Sequence, residues 1–354
     1  MKKALIAMSG GVDSSLAAAL VQEMGYACIG CTMKLYDNED IGLRRGHTCC
    51  SLEDVEDARS VVHRLGIPYY VFNFKDAFRE KVIARFIRAY EEGRTPNPCI
   101  DCNRYLKFGG LYERALVLGC ACVVTGHYAR IERQGETYLL KKAADETKDQ
   151  SYVLYSMTQE QLAHTLFPLG GMRKTEVREL AARYGFINAD KPDSQDICFV
   201  PDGDYGAFLE RATGKTYGEG PFLDTEGKVV GTHRGTVRYT IGQRKGLGLS
   251  CGKPVYVSAI DPVRNTVTVS DEAGLFGTEL TAGDFNWISG KVPEAPVNCA
   301  AKVRYRQKEE PAVATPLPDG TVRVVFGRPQ RAITPGQAVV LYDGDVVLGG
   351  GTIL

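Results

Sequence analysis

The first residues of the chain combine an apolar run, a glycine turn and a helical pattern, in that order. Lys3 to Met8 is the apolar run, and Ser9 to Ser15 reads Ser-Gly-Gly-Val-Asp-Ser-Ser. Apolar residues then recur every four positions, at Leu16, Leu20 and Met24. Paired glycines let backbone amides approach an anion, and a helix N-terminus adds unpaired N–H donors and the positive end of its dipole. The order predicts a buried strand, a phosphate-binding loop and a helix.

The loop differs from the Walker phosphate loop. That loop places a lysine before its Ser or Thr to reach the β and γ phosphates, whereas no lysine lies between Lys3 and Lys34 here. The letters Ser-Gly-Gly-Val-Asp-Ser resemble the pyrophosphate loop (PP-loop) of the ATP pyrophosphatase superfamily. Members of that superfamily cleave ATP between its α and β phosphates and adenylate a substrate. The resemblance implies that the loop binds ATP and that Asp13 helps to hold Mg²⁺ at the pyrophosphate.

The first two hundred residues alternate strand and helix patterns, as βαβ units do. Ala27 to Met33 and Tyr69 to Phe74 are further candidates for buried strands. A helical period lies between them, at Val55, Ala58, Val62 and Leu65. A longer helical region is expected from Tyr152 to Tyr184, interrupted at Phe167 to Gly171. The natural packing of these elements is a parallel sheet covered by helices.

After Pro201 the pattern changes to short alternating segments separated by glycine. Several are expected to be hairpin strands: Lys228–Gly231, Thr236–Ile241, Pro254–Ile260, Thr266–Ser270, Cys299–Arg306, Thr321–Phe326, Ala338–Tyr342 and Asp345–Leu348. Asp343-Gly344 is a strong turn signal between the last two. The predicted class is α/β, with a Rossmann-like PP-loop domain in residues 1–200. A small β-rich central domain in 201–278 and a C-terminal β-barrel in 279–354 are expected to follow.

Charge and hydropathy limit the location and the partners of the chain. Lysine plus arginine and aspartate plus glutamate both total 43, so any nucleic-acid contact must be local. The apolar run Ala4 to Met8 is too short for a signal-peptide core or a membrane span. We therefore expect a cytoplasmic protein with no membrane partner. In that reducing compartment the eleven cysteines indicate thiols, metal ligands or catalytic groups rather than a disulfide framework.

Three cysteines are candidates for chemistry. Cys99 and Cys102 lie within Arg94 to Asn103, on a loop or at a helix N-terminus, where the helix dipole lowers a thiol pKa. Cys198 lies far along the chain, in Ser194 to Phe199. If the three converge, one cysteine could carry a persulfide that another resolves, or three thiolates could ligate a [4Fe-4S] cluster. Structural zinc is a third alternative and needs four ligands. Four others lie in or beside apolar runs and are expected in the core: Cys28, Cys31, Cys120 and Cys122.

Eight further blocks extend the pattern along the chain: His47–Ser51, Gly93–Asn103, Thr125–Ala129, Lys148–Tyr152, Ser194–Phe199, Tyr239–Gly248, Arg304–Gln307 and Gly327–Gly336. In the residues of these blocks and in their order along the chain, the sequence resembles the bacterial tRNA-specific 2-thiouridylases, known as the MnmA or TrmU family. The resemblance covers nearly the whole chain. It implies ATP-dependent 2-thiolation of the anticodon wobble uridine of tRNA, through adenylation of O2 and sulfur transfer to C2.

The resemblance also implies a set of site residues. The ATP phosphates are expected at Ala7, Met8, Ser9, Gly10, Gly11, Val12, Asp13 and Ser14, and the adenosine at Met33 and Gly126. The target base is expected at Asn97, Pro98 and Cys99. Cys102 takes the position of the nucleophile and Cys198 that of the persulfide carrier. Further tRNA contacts are expected at His127, Lys148, Asp149, Gln150, Tyr305, Arg306 and Gln337.

One position departs from the family pattern. Many members have aspartate where this chain has Cys99, and the cysteine removes a carboxylate that can act as an acid or base. Two sulfur routes therefore stay open. In one, a sulfur donor such as a cysteine desulfurase or relay protein loads Cys198, and Cys102 releases the sulfur by forming a disulfide with it. In the other, Cys99, Cys102 and Cys198 hold a [4Fe-4S] cluster. A PP-loop C–N ligase or amidotransferase is a rival class, which needs an amine source and no convergent cysteines.

Two basic stretches are candidates for contact with tRNA phosphates. Lys228 to Ile260 contains six basic residues and no acidic one, with Tyr239 and Gln243 interleaved. A solvated basic loop would have the same composition, but the interleaved residues favour phosphate contact. Lys302 to Lys308 is expected to continue a strand and to place its basic residues on one face. We expect the C-terminal domains to recognise the anticodon stem.

Overall fold

A computed structural model describes residues 1–37, 52–192 and 197–354 of the chain. The sequence block His47–Ser51 and residues 194–196 lie outside the described residues. The first part of the chain contains seven strands: β1 Lys3–Ala7, β2 Ala27–Lys34, β3 Tyr69–Asn73, β4 Cys122–Val124, β5 Arg130–Gln134, β6 Thr137–Lys141 and β7 Thr165–Leu166. Five of them form a parallel sheet in the order β3-β2-β1-β4-β7. The three strands predicted between Lys3 and Phe74 are confirmed.

Helices cover both faces of this sheet, as the sequence predicts. Their bounds are α1 Val12–Glu23, α2 Leu52–Leu65, α3 Lys75–Phe78, α4 Ala84–Glu91, α5 Pro98–Asp101, α6 Leu111–Val117, α7 Gln159–Ala163, α8 Lys174–Arg183 and α9 Tyr205–Thr213. Two π-helical segments join neighbouring helices: Arg79–Ile83 connects α3 to α4, and Cys102–Gly110 connects α5 to α6. Side chains alternate along β1, so Ala4 and Ile6 join the core under α1, α2 and α8, while Leu5 joins the opposite core.

Two expectations for this region are wrong. The third strand is not buried, because β3 is the edge of the sheet, where Tyr70 and Val71 are 47% and 44% exposed. The region Tyr152 to Tyr184 is not one interrupted helical run. Thr165 and Leu166 form strand β7 beside β4, because the short apolar segment completes the edge of the parallel sheet.

The central part contains α9 and a mixed sheet of four strands, in which β11 and β8 are parallel and the other pairs are antiparallel. The strands are β8 Gly220–Leu223, β9 Val229–His233, β10 Tyr256–Asp261 and β11 Thr266–Ser270, in the order β10-β11-β8-β9. Sequence reasoning missed α9 and β8. It was also wrong about Thr236 to Ile241, which begins with a 3₁₀ turn rather than a strand, since Val237 and Tyr239 both turn into the core.

The C-terminal part is a closed antiparallel barrel. Its strands are β12 Phe276–Trp287, β13 Val297–Lys302, β14 Glu310–Pro316, β15 Val322–Arg331, β16 Ala338–Asp343 and β17 Val346–Ile353. They pair in the order β12-β15-β14-β13-β16-β17, and pairing of β12 with β17 closes the ring. The α/β class with a Rossmann-like domain, a β-rich domain and a barrel is confirmed. Lys302 to Lys308 does not continue a strand, because β13 ends at Lys302 and the chain turns.

The β5–β6 hairpin belongs to the first part of the sequence but joins the barrel. Lys141 of β6 pairs with Val346 of β17. Asp345 reinforces the junction: its carboxylate accepts from Arg130 Nη2 at 2.7 Å, and its backbone carbonyl accepts from Lys142 N at 2.8 Å. The barrel is therefore attached to the first domain by backbone pairing as well as by ion pairs.

Close packing where the barrel closes gives a stability prediction. A Cβ on Gly350 would lie 2.7 Å from both the ring of Tyr155 and the carbonyl oxygen of Val339. Since the carbonyl belongs to the backbone, Gly350→Ala should lower the free energy of unfolding by about 1–3 kcal/mol. Chemical denaturation measures the effect. Gly218→Ala is the matched control, because a Cβ there meets nothing within 4 Å. Equal stability of the two variants would contradict the prediction.

Candidate functional site

The loop after β1 lies at a crevice of the parallel sheet. β1 is hydrogen-bonded to β2 on one side and to β4 on the other, and ligands of such sheets bind where neighbouring connections leave in opposite directions. Gly10 has φ +75°, and a Cβ there would lie 2.4 Å from the carbonyl oxygen of Asp54. Glycine is therefore required by both conformation and space. Met8 and Val12 are buried, so their backbone groups are what a ligand in the crevice can reach.

Hydroxyl groups of the loop bond to the loop itself. Ser14 Oγ donates to the carbonyl of Gly11 at 2.9 Å, and Ser15 Oγ donates to the same carbonyl at 3.0 Å. The amide of Ser9 donates to Ser14 Oγ at 3.2 Å. These bonds hold the loop in a tight turn before α1. A phosphate would have to draw Ser14 Oγ away from Gly11 to receive its proton.

The connection after β4 contacts the first turn of α1. A Cβ on Gly126 would lie 2.7 Å from the carbonyl carbon of Asp13 and 2.8 Å from the amide nitrogen of Ser14, so only glycine permits this approach. Tyr128 Oη donates to Asp13 Oδ1 at 2.7 Å. The structure thus brings together Gly126 and the PP-loop, which the sequence assigned to one nucleotide.

A lysine that sequence reasoning missed lies at this site. Lys174 Nζ is 2.7 Å from both carboxylate oxygens of Asp13, and the Lys174 side chain is only 10% exposed. Asp13, proposed as a Mg²⁺ ligand, is therefore neutralised by an ammonium group. Lys174 opens α8, 161 positions from Asp13, so no local pattern in the sequence could connect the two residues.

Asn188 is a second residue that sequence reasoning missed. Its Nδ2 donates to the carbonyl of Gly10 and to Ser15 Oγ, both at 2.9 Å. The side chain is buried, and its Oδ1 has no hydrogen-bond partner among the described residues. Nearby, Lys191 Nζ bonds to Asp54 and Asp57 of α2 at 2.7 and 2.6 Å. The segment that leads towards Cys198 is thus tied to the PP-loop.

Cys99 and Cys102 lie at the start of a helix, which is one of the two placements that the sequence left open. Asn97 is the N-cap of α5, and its Oδ1 accepts from the amide of Cys99 at 3.1 Å. Cys99 is exposed in the first turn, whereas Cys102 is half-buried where the π-helical segment begins. Pro98 is buried and Asn97 is half-buried. The π-helical segment is a local distortion of the kind that is frequent at functional sites.

Cys102 and Cys198 border the same apolar cluster. This cluster lies on the face of the sheet that carries Leu5, and Ala7 and Met33 also border it. Tyr36, just after β2, donates its hydroxyl to the carbonyl of Cys198 at 2.8 Å. The structure therefore gathers the end of β1, the end of β2 and two of the three candidate thiols around one cluster, although these residues are far apart in sequence.

The described residues do not form a metal centre around these thiols. Across residues 1–37, 52–192 and 197–354, no group of three His, Cys, Asp or Glu side chains is arranged to hold a metal ion. Cys99, Cys102 and Cys198 are accordingly not brought together as a ligand set. The four other cysteines expected in the core are buried: Cys28, Cys31, Cys120 and Cys122.

Two barrel residues predicted to contact tRNA lie beside the Cys99 helix. Burial raises the pKa of Tyr305, and the nearby Asp149 and Cys99 add to the shift. Tyr305 packs edge-on against Tyr152 at 5.9 Å between ring centroids. Gln337 Nε2 donates to the carbonyl of Thr95 at 2.8 Å. The barrel therefore reaches the segment that carries Cys99.

Three other residues predicted to contact tRNA, Asp149, Gln150 and His127, form hydrogen bonds within the protein. Asp149 Oδ2 accepts from Ser151 Oγ at 2.8 Å, and Gln150 Oε1 accepts from the amide of Tyr128 at 2.9 Å. His127 is only 8% exposed and bonds to Thr125 Oγ1 at 2.7 Å, which argues against direct tRNA contact. Lys148 is half-buried, and Arg306 is exposed in the turn after β13.

Only some residues of the two basic stretches are exposed to solvent. Tyr239 is not an exposed ring between cations: it is 4% exposed and packs against Phe222 and His233. Arg238 bonds to Glu210 at 2.9 Å. Arg304 turns inward, where its Nη2 donates to the carbonyl of Ile241 at 2.8 Å. Arg244 and Lys245 are exposed and stay available to a polyanion.

Family models match three successive parts of the chain. A tRNA methyl transferase HUP domain matches residues 2–202, a tRNA methyl transferase PRC-barrel domain matches 206–271, and an aminomethyltransferase beta-barrel domain matches 277–353. Among the described residues, no helix has both the length and the apolar character needed to cross a bilayer.

Curated relatives match almost the entire chain. The tRNA-specific 2-thiouridylase MnmA of Symbiobacterium thermophilum is 55% identical over 99% of this chain and 92% of the relative. The enzyme of the same name from Acetivibrio thermocellus is 53% identical over 99% of each chain. Among solved structures, NMN synthetase from Francisella tularensis is similar at 18% identity and a TM-score of 0.35, over 61% of this chain and 79% of that one. That last likeness is too distant to carry an argument.

The Asp13–Lys174 pair gives a second stability prediction. Lys174→Met removes the ammonium and leaves a carboxylate that is only 31% exposed, so the free energy of unfolding should fall by about 2 kcal/mol. In an Asp13→Asn background the same change should cost about 1 kcal/mol less, since the charge to be compensated is gone. Chemical denaturation of the four proteins measures this coupling. Lys81→Met, which removes a surface ion pair with Glu80, is the control. Additive effects of Asp13→Asn and Lys174→Met would contradict the pairing.

The buried imidazole of His127 gives a pH prediction. Burial, and to a lesser extent Lys107, hold the pKa of His127 well below 6.5. The unfolded chain binds a proton there near pH 6.5 and the folded chain does not, so this contribution is full above pH 6.5 and is lost as the pH falls. His127→Phe keeps a ring against Phe108 and Phe167 but cannot titrate. Between pH 7 and 5.5 the wild type should lose about 1 kcal/mol more than this variant.

Chemical denaturation at both pH values measures the difference. His63→Phe is the control, because it changes an exposed imidazole. His233, whose pKa is also lowered by burial, is present in all three proteins and cancels. Parallel pH profiles for the wild type and His127→Phe would contradict the prediction, because they would show that the pKa of His127 is the same in the folded and the unfolded chain.

Proposed function

Because this chain belongs to the MnmA family of tRNA-specific 2-thiouridylases, we propose that it converts the wobble uridine of tRNA to 2-thiouridine at the expense of ATP. The observation that carries this proposal is that Cys102, Cys198, Ala7 and Met33 all pack against one apolar cluster. A nucleotide at the PP-loop and two thiols would then face the same base. We expect the reaction to take place in the cytoplasm.

The chemistry requires activation of the base. A uracil C2 carbonyl is a poor electrophile because the ring nitrogens donate into it, and its oxygen is a poor leaving group. In the proposed first step, O2 attacks the α phosphorus of ATP, a new O–P bond forms, and pyrophosphate leaves. The oxygen thereby becomes part of the leaving group AMP.

The PP-loop residues would hold the nucleotide phosphates. Backbone amides at Gly10, Gly11 and the first turn of α1 are suited to pyrophosphate, and the positive φ of Gly10 supports this geometry. Lys174 is held in the same crevice by its ion pair with Asp13. Mg²⁺ would supply Lewis-acid charge to the phosphates when it is bound, and Asp13 is the carboxylate that we assign to it. Met33 and Gly126 would line the adenosine pocket.

Sulfur transfer would follow through a persulfide. The terminal sulfur of a persulfide on Cys198 attacks C2, and AMP leaves with its oxygen. The Cys102 thiolate then attacks Cys198 Sγ, so the sulfur–sulfur bond breaks and the electron pair stays with the sulfur on C2. The products are 2-thiouridine and a Cys102–Cys198 disulfide, which an external dithiol must reduce. A desulfurase or a sulfur-relay protein would supply the persulfide sulfur.

The cluster route receives less support from this chain. A three-cysteine [4Fe-4S] site would need Cys99 together with Cys102 and Cys198, and the described residues do not form that ligand group. Cys99 is exposed beside Tyr305 instead. We therefore assign Cys99, with Asn97 and Pro98, to contact with the target base. The wobble position suits such a site, because its base lies in an unpaired loop and needs little energy to leave a stack.

Substitution of the two cysteines tests the proposal. Purified protein is incubated with unmodified tRNA, ATP and a persulfide-generating donor, and nucleosides are measured by mass spectrometry. Cys102→Ser and Cys198→Ser should each lower 2-thiouridine formation by at least about a hundredfold. Both variants should still exchange pyrophosphate into ATP in the presence of tRNA, since adenylation precedes sulfur transfer.

Cys251→Ser is the matched control, because Cys251 is also half-buried but lies in a loop of the central domain. Thiolation that survives the Cys102→Ser and Cys198→Ser double change would refute the sulfur-transfer proposal. Incorporation of an amine in place of sulfur would favour the C–N ligase alternative.

A further inference from the structure

Thr95 lies where all three parts of the chain meet. Its amide donates to the carbonyl of Pro335 in the barrel at 2.9 Å, and its carbonyl accepts from Gln337 Nε2 at 2.8 Å. Its hydroxyl donates to Thr240 Oγ1 of the central domain at 3.2 Å. Both backbone polar groups of one residue in the first domain are thus held by a single turn of the barrel.

The barrel turn approaches Thr95 more closely than a side chain would allow. Gly336 has φ +89°, and a Cβ there would lie 2.9 Å from the amide nitrogen of Thr95. The backbone of the turn is fixed in its own domain, since the amide of Gly336 donates to Ile353 and the carbonyl of Gln337 accepts from Ile353, both at 2.8 Å. The barrel turn that bonds to Thr95 is therefore itself held rigidly.

The segment between Thr95 and Cys99 is rigid, so the position of Thr95 determines the position of Cys99. It reads Pro96-Asn97-Pro98, and each proline fixes φ and restricts the residue before it. Asn97 then caps the helix through the amide of Cys99 at 3.1 Å. Few backbone rotations remain between Thr95 and the first turn of α5. A displacement of Thr95 would consequently move Cys99 and Cys102.

We propose that Gln337 is a positioning residue, which acts through the carbonyl of Thr95 to orient the helix that carries Cys99 and Cys102. The inference rests on the function proposed above, where these cysteines meet the base and the persulfide. It is separate from the tRNA contact that the family resemblance implies for Gln337, because it acts in the protein without tRNA. Because the side-chain amide of Gln337 donates to Thr95, the position of the barrel affects the reactivity of the two thiols.

The test compares Gln337→Met with a matched change elsewhere. Methionine is similar in volume to glutamine but cannot donate a hydrogen bond. Gln22→Met is the control, because Gln22 Nε2 also donates to a backbone carbonyl, that of Leu65, at 3.0 Å, away from the site. The rate of alkylation of Cys99 and Cys102 by iodoacetamide is followed by peptide mass mapping in the free protein. Cys251 serves as the internal reference thiol.

Gln337→Met should change the alkylation rate of Cys99 or Cys102 at least about threefold and lower kcat for thiolation at least about tenfold, since small misplacements of reacting groups are costly. Gln337→Glu keeps the length and lacks the donor, so it should produce the same change in alkylation. Gln22→Met should change none of these quantities.

An unchanged alkylation rate of Cys99 and Cys102 in Gln337→Met would overturn the inference and leave Gln337 as a tRNA contact only. Alkylation of the buried residues Cys31 and Cys122 in Gln337→Met and Gln337→Glu would also overturn the inference. It would show that the core has opened and that Gln337 stabilises the fold in general. If the wild type does not thiolate tRNA while Gln337→Met still changes the alkylation rate, only the proposed function is refuted. If the wild type thiolates tRNA while Gln337→Met leaves the alkylation rate unchanged, only this inference is refuted.

Discussion

The hydrogen bonds on both sides of β1 place three connections at one edge of the parallel sheet. β1 pairs with β2 and β4 in the same direction, so the PP-loop, the Gly126 connection and Tyr36 all leave the sheet at that edge. The contacts of Gly126 with Asp13 and of Tyr36 with Cys198 follow from this pairing. The PP-loop and the segment that carries Cys198 are neighbours because the strands are parallel.

Local patterns in the sequence were sufficient where the chemistry of a segment determines its own conformation. Ser9 to Ser15 predicts a loop and a helix start because glycines and N-terminal amides act within a few residues. For Cys99 and Cys102 the sequence left a loop or a helix N-terminus open, and the structure has the helix, with Asn97 as its cap. Asp343-Gly344 predicted the last hairpin, since that dipeptide favours a positive φ, which Gly344 adopts.

Contacts between distant segments could not be predicted in this way. Lys174 and Asn188 reach the PP-loop from more than 150 residues away in the sequence, through α8 and the chain that follows it. Tyr239 was interpreted as a surface ring because its neighbours are basic, but burial against Phe222 determines its place. Alternation after Lys302 suggested a strand, and the inward turn of Arg304 towards Ile241 ended it. In each case tertiary packing overrode a local preference.

The β5–β6 hairpin has a consequence for how the chain folds during synthesis. Strand β6 of the hairpin pairs with β17, which leaves the ribosome about 200 residues later. At roughly 5–20 residues per second, the outer edge of β6 waits on the order of 10 to 40 seconds for its partner. During that interval Lys141 is a charge on the open edge of β6, and such charges discourage pairing with another chain. By this argument the lysine that later pairs with Asp345 also disfavours aggregation of the nascent hairpin.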